Sequence, residues 1–215
     1  MDWKEEFRRG DDRPAAIGIM GGTFDPIHYG HLVTAENARH FFSLSRVIFV
    51  PAYRPPHKKQ RRISPPEHRL EMVRLAIASN PHFTVSDMEI SRRGPSYTID
   101  TVLAMQQAYP AVRLFFITGA DAVLEILSWH RVTELLQNCT FIAATRPGYQ
   151  LGQLRHNLSA LPEVLLRRIL TMEVPALAIS STDIRQRVRE GRPVKYLLPE
   201  AVEDYIYRQA LYQGD

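Results

Sequence analysis

Two histidines, His28 and His31, share one short run with three glycines: Gly21-Gly22-Thr23-Phe24-Asp25-Pro26-Ile27-His28-Tyr29-Gly30-His31. The apolar stretch Ala15 to Met20 before it reads as one buried strand. Leu32, Ala35, Asn37, Ala38 and Phe41 after it begin a helical pattern. Strand, tight turn and helix start, in that order, gather free backbone N–H groups and the positive end of a helix dipole at one point, where an anion is favoured. The two imidazoles bring hydrogen-bond donors or cations to the same anion, and Gly30 leaves room for a ligand against the backbone.

Other chemistries fit this run less well. There is no Gly-Lys-Ser/Thr ending, and the spacing of Gly18, Gly21 and Gly22 is not G-x-G-x-x-G. No cysteine or carboxylate cluster of suitable spacing accompanies the histidines, so no metal ligand is assigned. A second cluster, Ser180-Ser181-Thr182-Asp183-Ile184-Arg185, reads as another helix start. Its hydroxyls suit a cap, and Arg185, one turn in, is a fork-shaped cation for phosphate oxygens. Asp121 follows a predicted strand and either accepts from a ribose or caps a helix.

Composition limits the alternatives. The chain has 215 residues, 45% hydrophobic and 23% charged, with a net charge of +4. That length and balance suit one globular domain of generous size, here residues 15–215 with a helical C-terminal part, after a charged extension over residues 1–14. No apolar run approaches membrane-spanning length, and the charged N-terminus lacks the apolar core of an export signal. The one cysteine, Cys139, sits among apolar residues and reads as a buried small hydrophobe in a cytoplasmic protein. The positive charge suggests anionic partners. Arg54, Lys58, Lys59, Arg61 and Arg62 crowd into one Pro-rich loop, Tyr53 to Pro66, instead of forming a broad stripe, and no zinc-finger spacing or RNA-binding aromatic signature appears. Nucleic acid is therefore not the expected partner.

The elements that must position these residues alternate. Strands are predicted at Arg46–Ala52, Phe83–Ile90, Val112–Thr118, Thr140–Thr145 and Ala176–Ile179. Helices are predicted at Pro66–Asn80, Ser96–Tyr109, Ala122–Leu127, Val132–Gln137, Glu163–Leu170, Ser181–Glu190 and Pro199–Leu211. Such alternation predicts an α/β fold with a mostly parallel, doubly wound sheet and helices on both faces, and ligands beyond the carboxyl ends of the strands.

The run GGTFDPIHYGHL resembles the signature of bacterial nicotinate-nucleotide adenylyltransferases, within the HxGH nucleotidyltransferases. PPHK at 55–58, PSYT at 95–98, GAD at 119–121, Trp129, TRPGY at 145–149 and ISSTDIR at 179–185 are similar in order and spacing. The resemblance implies a Rossmann-like fold and transfer of AMP from ATP to nicotinate mononucleotide, with Mg2+ on the ATP phosphates and a monomer or homodimer. It implies that His28, His31 and Arg185 stabilise the transition state. It places Gly21, Gly22, Thr23, Phe24, Gly30, Asp121, Ser181 and Thr182 about ATP. His57, Lys58, Ser96, Tyr97, Thr98, Trp129 and Arg146 are placed about the mononucleotide, with Trp129 stacking on the pyridine ring. The resemblance implies a tyrosine after that tryptophan, where this chain has His130.

Overall fold

The computed structural model describes residues 15–55, 63–145, 157–175 and 177–214. The extension over 1–14, His57, Lys58 and most of the basic loop, and Arg146 lie outside the described residues. Six strands form one sheet in the order β3-β2-β1-β4-β5-β6: β1 Ala16–Gly22, β2 Arg46–Pro51, β3 Phe83–Val85, β4 Arg113–Gly119, β5 Thr140–Thr145 and β6 Ile169–Glu173. This is the doubly wound order, with its switch point between β1 and β4. The helices are α1 Tyr29–Phe41, α2 Pro66–Ile77, α3 Met88–Arg92, α4 Thr98–Ala108, α5 Ala120–Leu124, α6 Val132–Asn138, α7 Glu163–Leu166, α8 Ser181–Arg189 and α9 Glu200–Arg208. No helix of the described residues is long and apolar enough to cross a membrane.

The chain divides into two compact units. One comprises Met1–Gly21, Thr34–Ile48 and Tyr97–Ala176. Here β1 pairs in parallel with β4 (Ile17 opposite Leu114), β4 with β5, and β5 with β6. Consecutive residues Ala16 to Met20 and Leu114 to Ile117 are all buried, as strands covered on both faces require. Gly18 admits Ile117 and Leu44, whose methyl groups lie 2.8 and 2.9 Å from where a Cβ would stand. Cys139 is buried, and its thiol, pushed up by burial, donates to the Leu114 carbonyl at 3.3 Å.

The other unit comprises Gly22–Val33, Phe49–Ser96 and Leu177–Asp215. There α2 packs on α9 and on β3. The buried face of α2 is Arg69, Met72, Val73, Ala76 and Ile77. Pro66 opens that helix, where its missing N–H costs nothing. The Ser180 side chain caps α8 by accepting from the Asp183 amide at 3.1 Å.

Three elements differ from the sequence expectation. The strand expected over Phe83–Ile90 stops at Val85, because Ser86 and Asp87 turn the chain into α3; the Ser86 hydroxyl accepts from the Met88 amide at 3.4 Å, and Asp87 accepts from Ser91. The helix expected over Glu163–Leu170 ends at Leu166, and the sixth strand is Ile169–Glu173. Residues 177–179, expected within the strand Ala176–Ile179, have no regular structure. The core aromatic at the end of α1 is Phe42, 1% exposed, whereas Phe41 is 37% exposed.

Candidate active site

The signature run folds around a residue that is not a glycine. Phe24 takes the left-handed conformation at φ 50°, while neither Gly21 nor Gly22 has a positive φ. Phe24 thereby folds its ring back against Gly22, where a Cβ would stand 2.9 Å from the ring. The buried ring meets His31 edge-on at 5.1 Å and Phe49 at 5.8 Å, so it supports the site from beneath. Gly21 admits Phe116 in the same manner, at 2.8 Å. These two glycines are required by aromatic packing.

The histidines lie ring over ring, with centroids 3.8 Å apart and planes 30° apart. The His28 amide donates to Nδ1 of His31 at 3.2 Å. His31 therefore accepts at Nδ1, which leaves its proton on Nε2. His28 is buried, and burial pulls its imidazole down to about 4, so it is neutral near pH 7 in the ligand-free chain. Its Nδ1 has no hydrogen-bond partner among the described residues. The space expected beside Gly30 for a ligand is taken by this ring: a Cβ on Gly30 would stand 3.0 Å from His28.

His28 opens onto a pocket of about 220 Å³ lined by Thr23, Asp25, Ile63, Ile179, Ser180, Ser181, Thr182 and Arg185. The start of α8 is bonded to the signature run. Ser181 donates to the Pro26 carbonyl at 2.8 Å, and Arg185 donates to the Asp25 carbonyl and, at 3.2 Å, to the Thr182 hydroxyl. Arg185 is 8% exposed, so a buried guanidinium and a buried imidazole border one cavity.

Beneath the pocket lies a network that the motifs did not reveal. Arg69 is fully buried and donates to the carbonyls of Ser64, Thr23 and Tyr53 at 2.9, 2.9 and 3.2 Å. Burial lowers its affinity for the proton, and the nearby Asp25 opposes that. Asp25, also buried, accepts from Tyr212 at 2.8 Å and from the Ser64 amide at 3.4 Å. In sequence, Arg69 reads as one more charge on an amphipathic helix. Only the chain reversal after α9 brings Tyr212 here.

The mononucleotide candidates fall in two places. In the unit holding the pocket, the Ser96 hydroxyl accepts from the Tyr53 and Arg54 amides at 2.9 and 3.4 Å, and so fastens the root of the basic loop. In the other unit, half-buried Trp129 meets Phe116 and Phe141 edge-on at 6.1 and 5.8 Å. Tyr97 lies against His130 at 4.4 Å with planes 33° apart, just before Thr98 opens α4. Asp121 is exposed in the first turn of α5.

Comparison with known proteins agrees with this geometry. The cytidylyltransferase-like family pattern matches residues 19–187. A probable nicotinate-nucleotide adenylyltransferase of Moorella thermoacetica is 60% identical over 94% of this chain and 93% of its own length. Another, of Thermoanaerobacter sp., is 54% identical over 95% and 97%. The solved structure of Plasmodium falciparum nicotinic acid mononucleotide adenylyltransferase complexed with NaAD has the same fold, with TM-score 0.71 and 21% identity over 92% of this chain and 97% of that one. The chain belongs to the nicotinate-nucleotide adenylyltransferases of the cytidylyltransferase-like family.

Proposed function

We propose that this chain transfers AMP from ATP to nicotinate mononucleotide, releasing pyrophosphate. The observation that carries the reading is that His28, stacked on His31, shares one pocket with Arg185 at two helix starts. A phosphate oxygen of the mononucleotide attacks the α-phosphorus, the new P–O–P bond forms, and the α–β bridge breaks in line. No protein nucleophile is required, so the protein's work is alignment and charge stabilisation.

His28 and His31 donate to the phosphates. The approach of a polyanion reverses the burial effect on His28 and favours its charged form. Arg185 retains donors beyond the two already engaged and offers them to nonbridging oxygens. Ser181 and Thr182 present the start of α8, and Thr23 and Gly22 line the turn. Asp121 takes the ribose. Trp129, with Tyr97 and Thr98 at the start of α4, takes the pyridine ring and its carboxylate, while His57, Lys58 and Arg146 draw in the mononucleotide phosphate. Among the described residues no three His, Cys, Asp or Glu side chains group to hold a metal. Mg2+, carried in on the ATP phosphates, would supply charge neutralisation of the departing pyrophosphate.

The test is a substrate panel read by pyrophosphate release: ATP with nicotinate mononucleotide, its amide, or phosphopantetheine. Turnover with the acid mononucleotide well above the other two is expected. Turnover confined to phosphopantetheine, or absent with all three, overturns the reading.

A further inference from the structure

The segment after α9 is bent back on itself. Ala210 and Tyr212 both adopt positive φ, 50° and 64°, and the amides of Ala210 and Leu211 bond back to the carbonyls of Tyr207 and Ile206. Two non-glycine residues in the left-handed region so close together are costly and need compensation. What this reversal achieves is delivery of the Tyr212 hydroxyl to a buried carboxylate oxygen of Asp25 at 2.8 Å, across 187 residues of sequence. Burial and the neighbouring Asp25 raise the proton affinity of that phenol, which keeps it a donor.

Asp25 is the point where separate parts of the site are joined. One carboxylate oxygen takes Tyr212, and the other takes the Ser64 amide near the end of the basic loop. Its carbonyl takes Arg185, and the next carbonyl, of Pro26, takes Ser181. His28 follows two residues later. Arg69 fixes the same turn from below through Thr23, Ser64 and Tyr53.

We propose that Asp25 is a positioning residue and Tyr212 its latch, together holding the backbone that carries His28 and anchors Arg185 in register for transfer. The kinetic part of this proposal rests on the reaction proposed above. Losing the Tyr212 hydroxyl leaves one buried oxygen of Asp25 without its partner. The turn can then shift to find another, and small misplacement of reacting groups is paid in rate more than in binding.

The test compares wild type with Tyr212→Phe and Tyr212→Leu by turnover, KM for each substrate, thermal midpoint and amide exchange of the peptide 22–31. Tyr212→Phe is expected to lower kcat about ten- to a hundredfold, with KM for ATP little changed. It is also expected to speed exchange across residues 22–31 as well as across 209–214. Tyr212→Leu should be about as slow, and Asp25→Asn combined with Tyr212→Phe no slower than Asp25→Asn alone. Wild-type kcat and wild-type exchange over 22–31 in Tyr212→Phe overturn the proposal. So does a lower thermal midpoint with unchanged kcat at temperatures well below it, which marks a purely structural bond. A normal Tyr212→Phe beside a slow Tyr212→Leu assigns the role to ring packing and also overturns it. If wild type shows no turnover with ATP and nicotinate mononucleotide, the reaction is misassigned, and exchange over 22–31 still decides the latch.

Discussion

The backbone amide of His28 is bonded to the imidazole of His31 at 3.2 Å, so one histidine's main chain sets the other's tautomer. The pair is thus a preorganised donor unit with its rings 3.8 Å apart. The His31 ring is held in the orientation that the His28 main chain imposes.

Removing one member of this unit should strike chemistry and spare the fold. His28→Ala is expected to reduce kcat about 100- to 1000-fold, the usual loss for one preorganised transition-state donor. Steady-state pyrophosphate release with a circular-dichroism check decides it. A folded variant within tenfold of wild type removes His28 from the mechanism.

The buried imidazole also makes stability depend on pH. Because its folded value, about 4, lies below the ordinary 6.5, the unfolded chain takes up the proton first as pH falls. Stability held above pH 6.5 is therefore lost between about 6.5 and 4, by about 3 kcal/mol for this group. His28→Gln should flatten that part of the profile. Urea denaturation of both proteins at pH 7.5 and 4.5 measures the difference; parallel losses would contradict it.

Gly30→Ala sets two effects against each other. Alanine is the better helix former by about 1 kcal/mol, whereas its Cβ would press on the His28 ring at 3.0 Å. The expected result is a nearly unchanged thermal midpoint with turnover lowered at least about tenfold. Unchanged turnover would show that the ring has freedom to move aside.

Arg69→Ala should behave in the opposite way. It strands three carbonyls and removes the cation beside buried Asp25. A loss of about 3–5 kcal/mol is expected, seen as a fall of roughly 10 °C in thermal midpoint. A fall under about 3 °C would show that water or a shifted chain replaces those bonds.

The acid mononucleotide should be preferred to the amide. Trp129 stacking cannot separate two flat rings of similar size, but the carboxylate gains charge-assisted bonds from N–H groups at the start of α4 that the amide forfeits. One such bond contributes about 1.5–3 kcal/mol, hence roughly ten- to a hundredfold in kcat/KM. Equal efficiency would detach Tyr97 and Thr98 from substrate recognition while leaving adenylyl transfer in place.

The sheet and the signature were legible because each is local. Ala16 to Met20 and Leu114 to Ile117 are unbroken buried runs, and the signature states its strand–turn–helix context in consecutive residues. The sixth strand was not, since the run Val164 to Leu170 carries apolar residues that fit a helix or a strand equally well. The packing role of Gly22 was not legible for another local reason: the backbone that bends is Phe24, and the glycine accommodates its ring. Arg69 and Tyr212 had no signal at all, and Asp25 showed only as a member of the signature run, because their partners are backbone carbonyls and a carboxylate brought together only by the fold.

The pocket draws its walls from stretches of chain that are far apart in synthesis. Ser181 bonds to Pro26 across 155 residues, Arg185 to Asp25 across 160, and Tyr212 to Asp25 across 187. All six strands precede residue 177. On the ribosome, then, a nascent chain can carry every strand and both histidines and still lack the surface that faces them. The pocket that His28 borders is therefore walled on its far side only once Ser180 to Arg185 have been made.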